Sequence, residues 1–177
     1  MRVRTTALVC TAVLAAATAC ADPGPGATAG GPAAAPVSGP TRAVGDAAAV
    51  TRRLLAAGLP VRLTVTYTGA DDPDGLLGRP GQYASKAAFD DTRVSDSPLA
   101  REEAAGRRRD AVSYGGAVEV FAAPEDAGAR ADDLAGRQQP GTGGARPDYV
   151  YRSGVVVVRV SHLLTPEQAQ AYARAIG

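Results

Sequence analysis

The feature that most limits what this chain can fold into is the stretch from Ala21 to about Arg42, built mainly of Pro, Gly, Ala, Ser and Thr with almost no bulky apolar side chain. A segment of that composition cannot bury enough apolar surface to offset the entropy of ordering it, so it contributes nothing to a core and reads as a linker. Of the 177 residues, those from 44 to 177 are therefore expected to fold, as a single domain of ordinary size.

Ahead of the linker, Met1-Arg2-Val3-Arg4 is a short basic region, followed by the apolar run Leu8 to Ala17 and then Thr18-Ala19-Cys20-Ala21. That is the layout of a secretory signal peptide over residues 1–19. The apolar run falls short of the roughly 20 residues that a membrane-spanning helix needs, so it is not expected to serve as a permanent anchor. The surroundings of Cys20 resemble a bacterial lipobox, in which small residues precede a cysteine that is diacylated and becomes the new amino terminus. Ala17 departs from the leucine-like residue usual there, and Ala17-Thr18-Ala19 also reads as the A-x-A site of ordinary signal peptidase. Cysteine usage favours the lipobox. Cys10 leaves with the leader, and Cys20 would otherwise be a lone free thiol in an oxidising compartment, which thioether attachment of lipid removes. Residues 20–43 are thus expected to be a lipidated cysteine and a tether, with a root-mean-square span of about 25 Å. The domain would lie on the outer, extracytoplasmic face of the cell membrane, held through its N-terminal lipid.

The chain carries a formal charge of +1, and loss of a leader bearing Arg2 and Arg4 and no acid leaves −1. A nearly neutral body offers no bulk attraction for nucleic acid or for an anionic membrane surface. Lys86 is the only lysine, and there is no Asn or Trp; alanine is so abundant that Ala-rich stretches carry little structural information.

Within the folded part, Asp46 is expected to cap a helix with Val50, Leu54 and Ala57 inward, stopped by Gly58 and Leu59-Pro60. Val61, Leu63, Val65 and Tyr67 alternate with polar residues and predict a strand covered on one face. Gly69 to Gly81 holds two turn signals around Leu76-Leu77 and predicts an ordered loop. Tyr83 to Asp90 alternates again, with Tyr83, Ser85, Ala87 and Phe89 on one side, while Ser95 to Asp110 reads as loop or short helix. A strand over Gly116 to Phe121 and a helix over Pro124 to Leu134, ended by Gly136, come next. Tyr149 to Tyr151 and Val155 to Val160 predict a hairpin whose valine run is buried on both faces, and Thr165-Pro166-Glu167-Gln168 is a capping box that starts a last helix. This order points to α+β: a mainly antiparallel sheet of about four to five strands with helices packed on one face.

Leu76-Leu77-Gly78-Arg79-Pro80-Gly81-Gln82-Tyr83 with Ser85-Lys86, then Gly116 to Phe121, and then Val157 through Leu164-Thr165-Pro166 to Tyr172, resemble a family of uncharacterised small lipoproteins of Gram-positive, actinobacterial-type bacteria. The likeness spans most of Leu59 to Ile176, and Asp74 departs from it where asparagine is expected. The resemblance implies a location and a shared fold, and no reaction.

No catalytic residue, metal site or cofactor is expected. His162, the only histidine, has no H-x-x-H or C-x-x-C companion and no G-x-S-x-G elbow nearby, and reads as a strand-end residue facing water or a satisfied partner. Asp71, Asp72 and Asp74 offer oxygen ligands for calcium, but Asp-Pro-Asp-Gly is favoured by turn geometry alone. Arg107-Arg108-Arg109 is flanked by Glu102, Glu103 and Asp110 and reads as a solvated loop. The binding candidates are Asp72, Asp74, Arg79, Tyr83 and Lys86. Arg79, fixed between Gly78 and Pro80, suits a carboxylate or phosphate, or else pairs internally with Asp72 or Asp74 and locks the loop; internal pairing is the expectation. The sequence thus points to a non-catalytic tethered module that binds an envelope component or protein through residues 72–86. The rival is a small envelope hydrolase using two carboxylates across a cleft. A two-lobed solute receptor is disfavoured by the size of the domain.

Overall fold

Two cross-strand requirements shape the domain: a valine-rich strand that needs cover on both faces, and edge strands that need cover on one. The computed structural model describes residues 44–106, 111–137 and 146–177. The signal peptide, Cys20, the linker and the Arg107-Arg108-Arg109 run lie outside the described residues. Five strands, β1 (Val61–Thr66), β2 (Ser85–Asp91), β3 (Gly115–Val120), β4 (Tyr149–Ser153) and β5 (Val156–Val160), form one antiparallel sheet in the order β1-β2-β3-β5-β4. With helices α1 (Ala47–Ala56), α2 (Pro98–Glu103), α3 (Pro124–Arg137) and α4 (Pro166–Ile176), the class is α+β, as the order of elements predicts.

Helix α1 begins where the Asp46 carboxylate accepts the Ala49 amide at 2.7 Å, and α4 where Thr165 and Gln168 exchange backbone and side-chain hydrogen bonds. Both pack on one face of the sheet, where Val50, Leu54 and Tyr172 meet Ala87, Phe89, Val118, Val158 and Val160. Phe89 and Tyr172 stack at 5.6 Å between ring centroids, an arrangement worth about 0.5–1.5 kcal/mol beyond the area it buries. The Tyr172 hydroxyl does not go unsatisfied there. It donates to the buried Asp91 carboxylate at 2.6 Å, which also accepts from the Arg93 guanidinium. The opposite face is covered by α3, whose Ala127, Ala131 and Leu134 join Tyr83, Phe121 and Val157. Helices on one face therefore describes α1 and α4, and α3 supplies the second cover that the valine run of β5 calls for.

Several local expectations give way to tertiary context. Leu63 is 38% exposed, because a bulge between Leu63 and Val65 shifts the register of β1 against β2 and breaks the alternation. Ala57 is exposed as the C-cap of α1. Tyr83 precedes β2 and enters the α3-side cluster, away from the face that Ala87 and Phe89 occupy. Helix α3 runs through Gly136 to Arg137, since a single helical glycine costs only about 1 kcal/mol. The Ser95 to Asp110 stretch contains α2, capped by Ser97.

Two glycines test the packing. A Cβ on Gly116 would stand 2.4 Å from the Arg159 carbonyl oxygen and 2.6 Å from the Phe89 ring, whereas one on Gly128 of α3 would meet nothing within 4 Å. Gly116→Ala is expected to destabilise the domain by about 1–3 kcal/mol, and Gly128→Ala to stabilise it by about 0.5–1 kcal/mol, both read as shifts of the urea midpoint at constant slope.

Candidate functional site

The segment between β1 and β2 is a long loop whose path is set by one carboxylate. Asp72 accepts hydrogen bonds through Oδ2 from the amides of Leu76 (2.8 Å) and Leu77 (3.0 Å) and from the Tyr83 hydroxyl (2.7 Å). Its Oδ1 accepts from Lys86 Nζ at 3.0 Å. A short aspartate suits this role, because it can turn the chain back on itself while staying in reach of amides four and five residues on. Leu76 and Leu77 then pack against the Tyr83 and Phe121 cluster, the two rings meeting edge to face at 6.0 Å.

Lys86 projects from β2 toward α3 with its side chain 6% exposed. Its ammonium lies 2.6 Å from Asp74 Oδ2, 3.9 Å from Glu119 Oε1, and about 5 Å from the ring centroids of Tyr67 (5.2 Å) and Tyr83 (5.1 Å). Glu119 stands directly opposite Lys86 in the β2–β3 register. From α3, Arg130 grips Glu119 with two hydrogen bonds of 2.8 Å, reaches Asp74 at 3.1 Å, and lies over the Tyr83 ring. Three carboxylates, two cations and a phenol thus form one network beneath the loop.

The electrostatics follow from this geometry. Burial by itself would raise the Asp72 carboxyl, but the hydrogen bonds from Tyr83, the Leu76 amide, Lys86 and the Leu77 amide outweigh it and hold the group well below the usual carboxylate range. Asp74 is also lowered, burial being outweighed by the hydrogen bond and charge of Lys86 and the charge of Arg130. Burial, then the hydrogen bond to Asp72, pushes the Tyr83 phenol upward, so it remains a proton donor within the network.

The expectation that Arg79 locks the loop through Asp72 or Asp74 is overturned. Those carboxylates are taken by Lys86, Tyr83 and Arg130, and the tip turns outward between Gly78 (φ 78°) and Gly81 (φ 70°), leaving Arg79 exposed. Its guanidinium makes no hydrogen bond or ion pair among the described residues. Of the five binding candidates, Asp72, Asp74, Tyr83 and Lys86 converge inward and Arg79 alone faces solvent. Arg130 and Glu119 are functional partners that the linear pattern did not mark. Their signal is positional: Arg130 falls on the inward stripe of α3 between Ala127, Ala131 and Leu134, and Glu119 sits between Val118 and Val120.

Elsewhere, Asp71 accepts from the Thr68 amide and hydroxyl, so Asp71, Asp72 and Asp74 do not converge. Among the described residues no group of three or more His, Cys, Asp and Glu side chains is set to hold a metal ion. His162 is held at both ring nitrogens, Nδ1 2.9 Å from Asp148 and Nε2 3.0 Å from Glu103. It is a strand-end residue with satisfied partners, and neither nitrogen is left to activate a nucleophile. No helix among the described residues is long and apolar enough to cross a membrane. Comparison with protein-family models, with curated proteins and with solved structures finds no match to this chain.

Removing the cation from this network leaves buried acids without compensation. Lys86→Met is expected to cost about 3–5 kcal/mol in urea unfolding, while Arg79→Ala changes stability by no more than about 0.5 kcal/mol. Because folding lowers the Asp72 carboxyl below its ordinary 3.8, the unfolded chain takes up that proton first on acidification. Its stabilisation is therefore complete above the ordinary carboxylate range and is lost as pH falls through and below it. Between about pH 5 and about pH 3 the urea midpoint should drop steeply in the parent and less steeply in Asp72→Asn.

Proposed function

We propose that this chain is a non-catalytic binding module, lipid-tethered to the outer face of the cell membrane, which recognises an envelope component or protein through the 72–86 loop. The observation that carries the binding half is the division of labour in that loop: every other polar candidate is consumed by internal contacts, and Arg79 is left exposed on a backbone that those contacts hold still. A guanidinium presented in this way loses little freedom on binding, and its planar donors suit a carboxylate or phosphate. Location rests on the basic and apolar leader, on Cys20 within a lipobox-like setting, and on the likeness to small actinobacterial-type lipoproteins.

The hydrolase reading asks for a carboxyl group able to carry a proton near neutral pH and a second one facing it across open space. Asp72, Asp74 and Glu119 are the acids gathered in this region, and all are bound to Lys86 or Arg130, with Asp72 and Asp74 lowered rather than raised. That arrangement favours a support for a recognition loop over an acid–base pair.

Each half has its own test. Cys20→Ala in the full chain should move the protein from the membrane fraction to the medium; unchanged membrane retention refutes the tether. Residues 44–177, used as bait against envelope extract, should recover a component whose yield falls about tenfold or more with Arg79→Ala, the loss expected for a charge-assisted contact of about 1.5–3 kcal/mol. Equal recovery by both baits sets the loop aside.

A further inference from the structure

The strand registers put the loop and the point where the tether joins the domain at the same end of the molecule. Thr66 pairs with Ala87, Ser85 with Val120, Val120 with Val156, and Val156 with Ser153, so these residues mark one end of the sheet across all five strands. Loop 67–84 leaves and re-enters the sheet there, between Thr66 and Ser85. The chain enters the domain there too. The Ala47 amide donates to Ser85 Oγ at 2.9 Å, and Arg53 reaches back to the Val44 carbonyl at 2.7 Å, which ties the first described residue to that end. Asp91, Ser95, α2 and His162 lie at the other end, with Leu99 exposed on α2.

The charges of the tethered end narrow what it meets. Gly81 separates Arg79 from Asp126 of α3: a Cβ on Gly81 would stand 3.6 Å from Asp126 Oδ1. Asp126, like Arg79, makes no hydrogen bond or ion pair among the described residues. Around this pair Asp46, Asp71 and Glu125 are exposed, with Arg152 as the further exposed base. The end is acidic on balance, so it repels a sheet of lipid phosphates, and a single arginine does not reverse that. A protein surface that offers a carboxylate to Arg79 and a basic group to Asp126 matches it, since opposed charges of both signs fix register as well as attraction.

We infer that the Arg79–Asp126 tip is a docking surface for a protein resident in the same membrane, engaged close to the bilayer from the tethered end of the domain. This rests on the lipid tether proposed above, because a tether that brings the chain in beside the tip, with a span of about 25 Å, keeps that surface within reach of partners near the headgroups and not of distant ones. The far end, with α2 and Leu99, is the surface turned toward the outer envelope.

Photo-crosslinking in cells that make the full chain tests this. With p-benzoylphenylalanine replacing Gln82 beside the tip, a discrete adduct to a membrane-embedded protein is expected, reduced at least tenfold by either Arg79→Glu or Asp126→Arg; the same group replacing Leu99 should not give that adduct. Membrane retention of the chain is measured in the same samples. A chain found in the medium overturns the tether and the inference with it. A retained chain that yields only lipid adducts at Gln82, or the same adduct from Leu99, or an adduct indifferent to both charge reversals, overturns the inference and leaves the tether standing.

Discussion

The ammonium of Lys86, enclosed by Asp72, Asp74, Glu119 and two tyrosine rings, is the contact on which the loop and the α3 side of the sheet depend. Taking a cation out of water costs several kcal/mol, and the arrangement persists only because each partner is charged or hydrogen-bonded. That requirement propagates. Asp72 must stay where Lys86 can reach it, so it is free to organise the amides of Leu76 and Leu77; Glu119 must be balanced a second time, which draws Arg130 and with it α3 onto the sheet. The same accounting of charge leaves nothing for Arg79 to pair with, and the tip is pushed outward.

The opposite face uses a related device on a smaller scale. Asp91 is fully buried, and it ties β2 to α4 by accepting from Tyr172 and neutralises itself through Arg93. At the far end Asp148 gathers Arg159 and His162, which in turn contacts Glu103 of α2. Aromatic residues make up only 5% of the chain and alanine contributes little volume, so apolar burial by itself is modest. Buried carboxylates with designated donors specify which elements meet, where small side chains leave the choice open.

Much of the framework was legible in linear order because it rests on local chemistry. Asp46, Ser97 and Thr165 cap helices by hydrogen bonds that span three residues, and Pro124 and Pro166 start helices because the missing amide is not needed there. The valine run of β5 revealed cover on both faces. Leu63 escaped because a bulge is a property of a strand pair, and Tyr83 because the side it faces is fixed by the Asp72 turn rather than by strand alternation. In the candidate site, residues 72–86 were visible as an ordered loop with the right members, while their roles were inverted: the four that looked exposed are internal, and the arginine that looked locked is outside.

By itself the sequence determined the export signal, the boundary at about residue 44, the caps, the α+β class and the identity of the loop, all of which depend on neighbours within a few positions or on composition. Only the tertiary structure decided which cation answers which carboxylate. Arg130 lies 56 residues from Asp74 and Glu119 lies 33 from Lys86, and the energies that pair them fall off over a few ångströms in space, a distance that order along the chain does not encode.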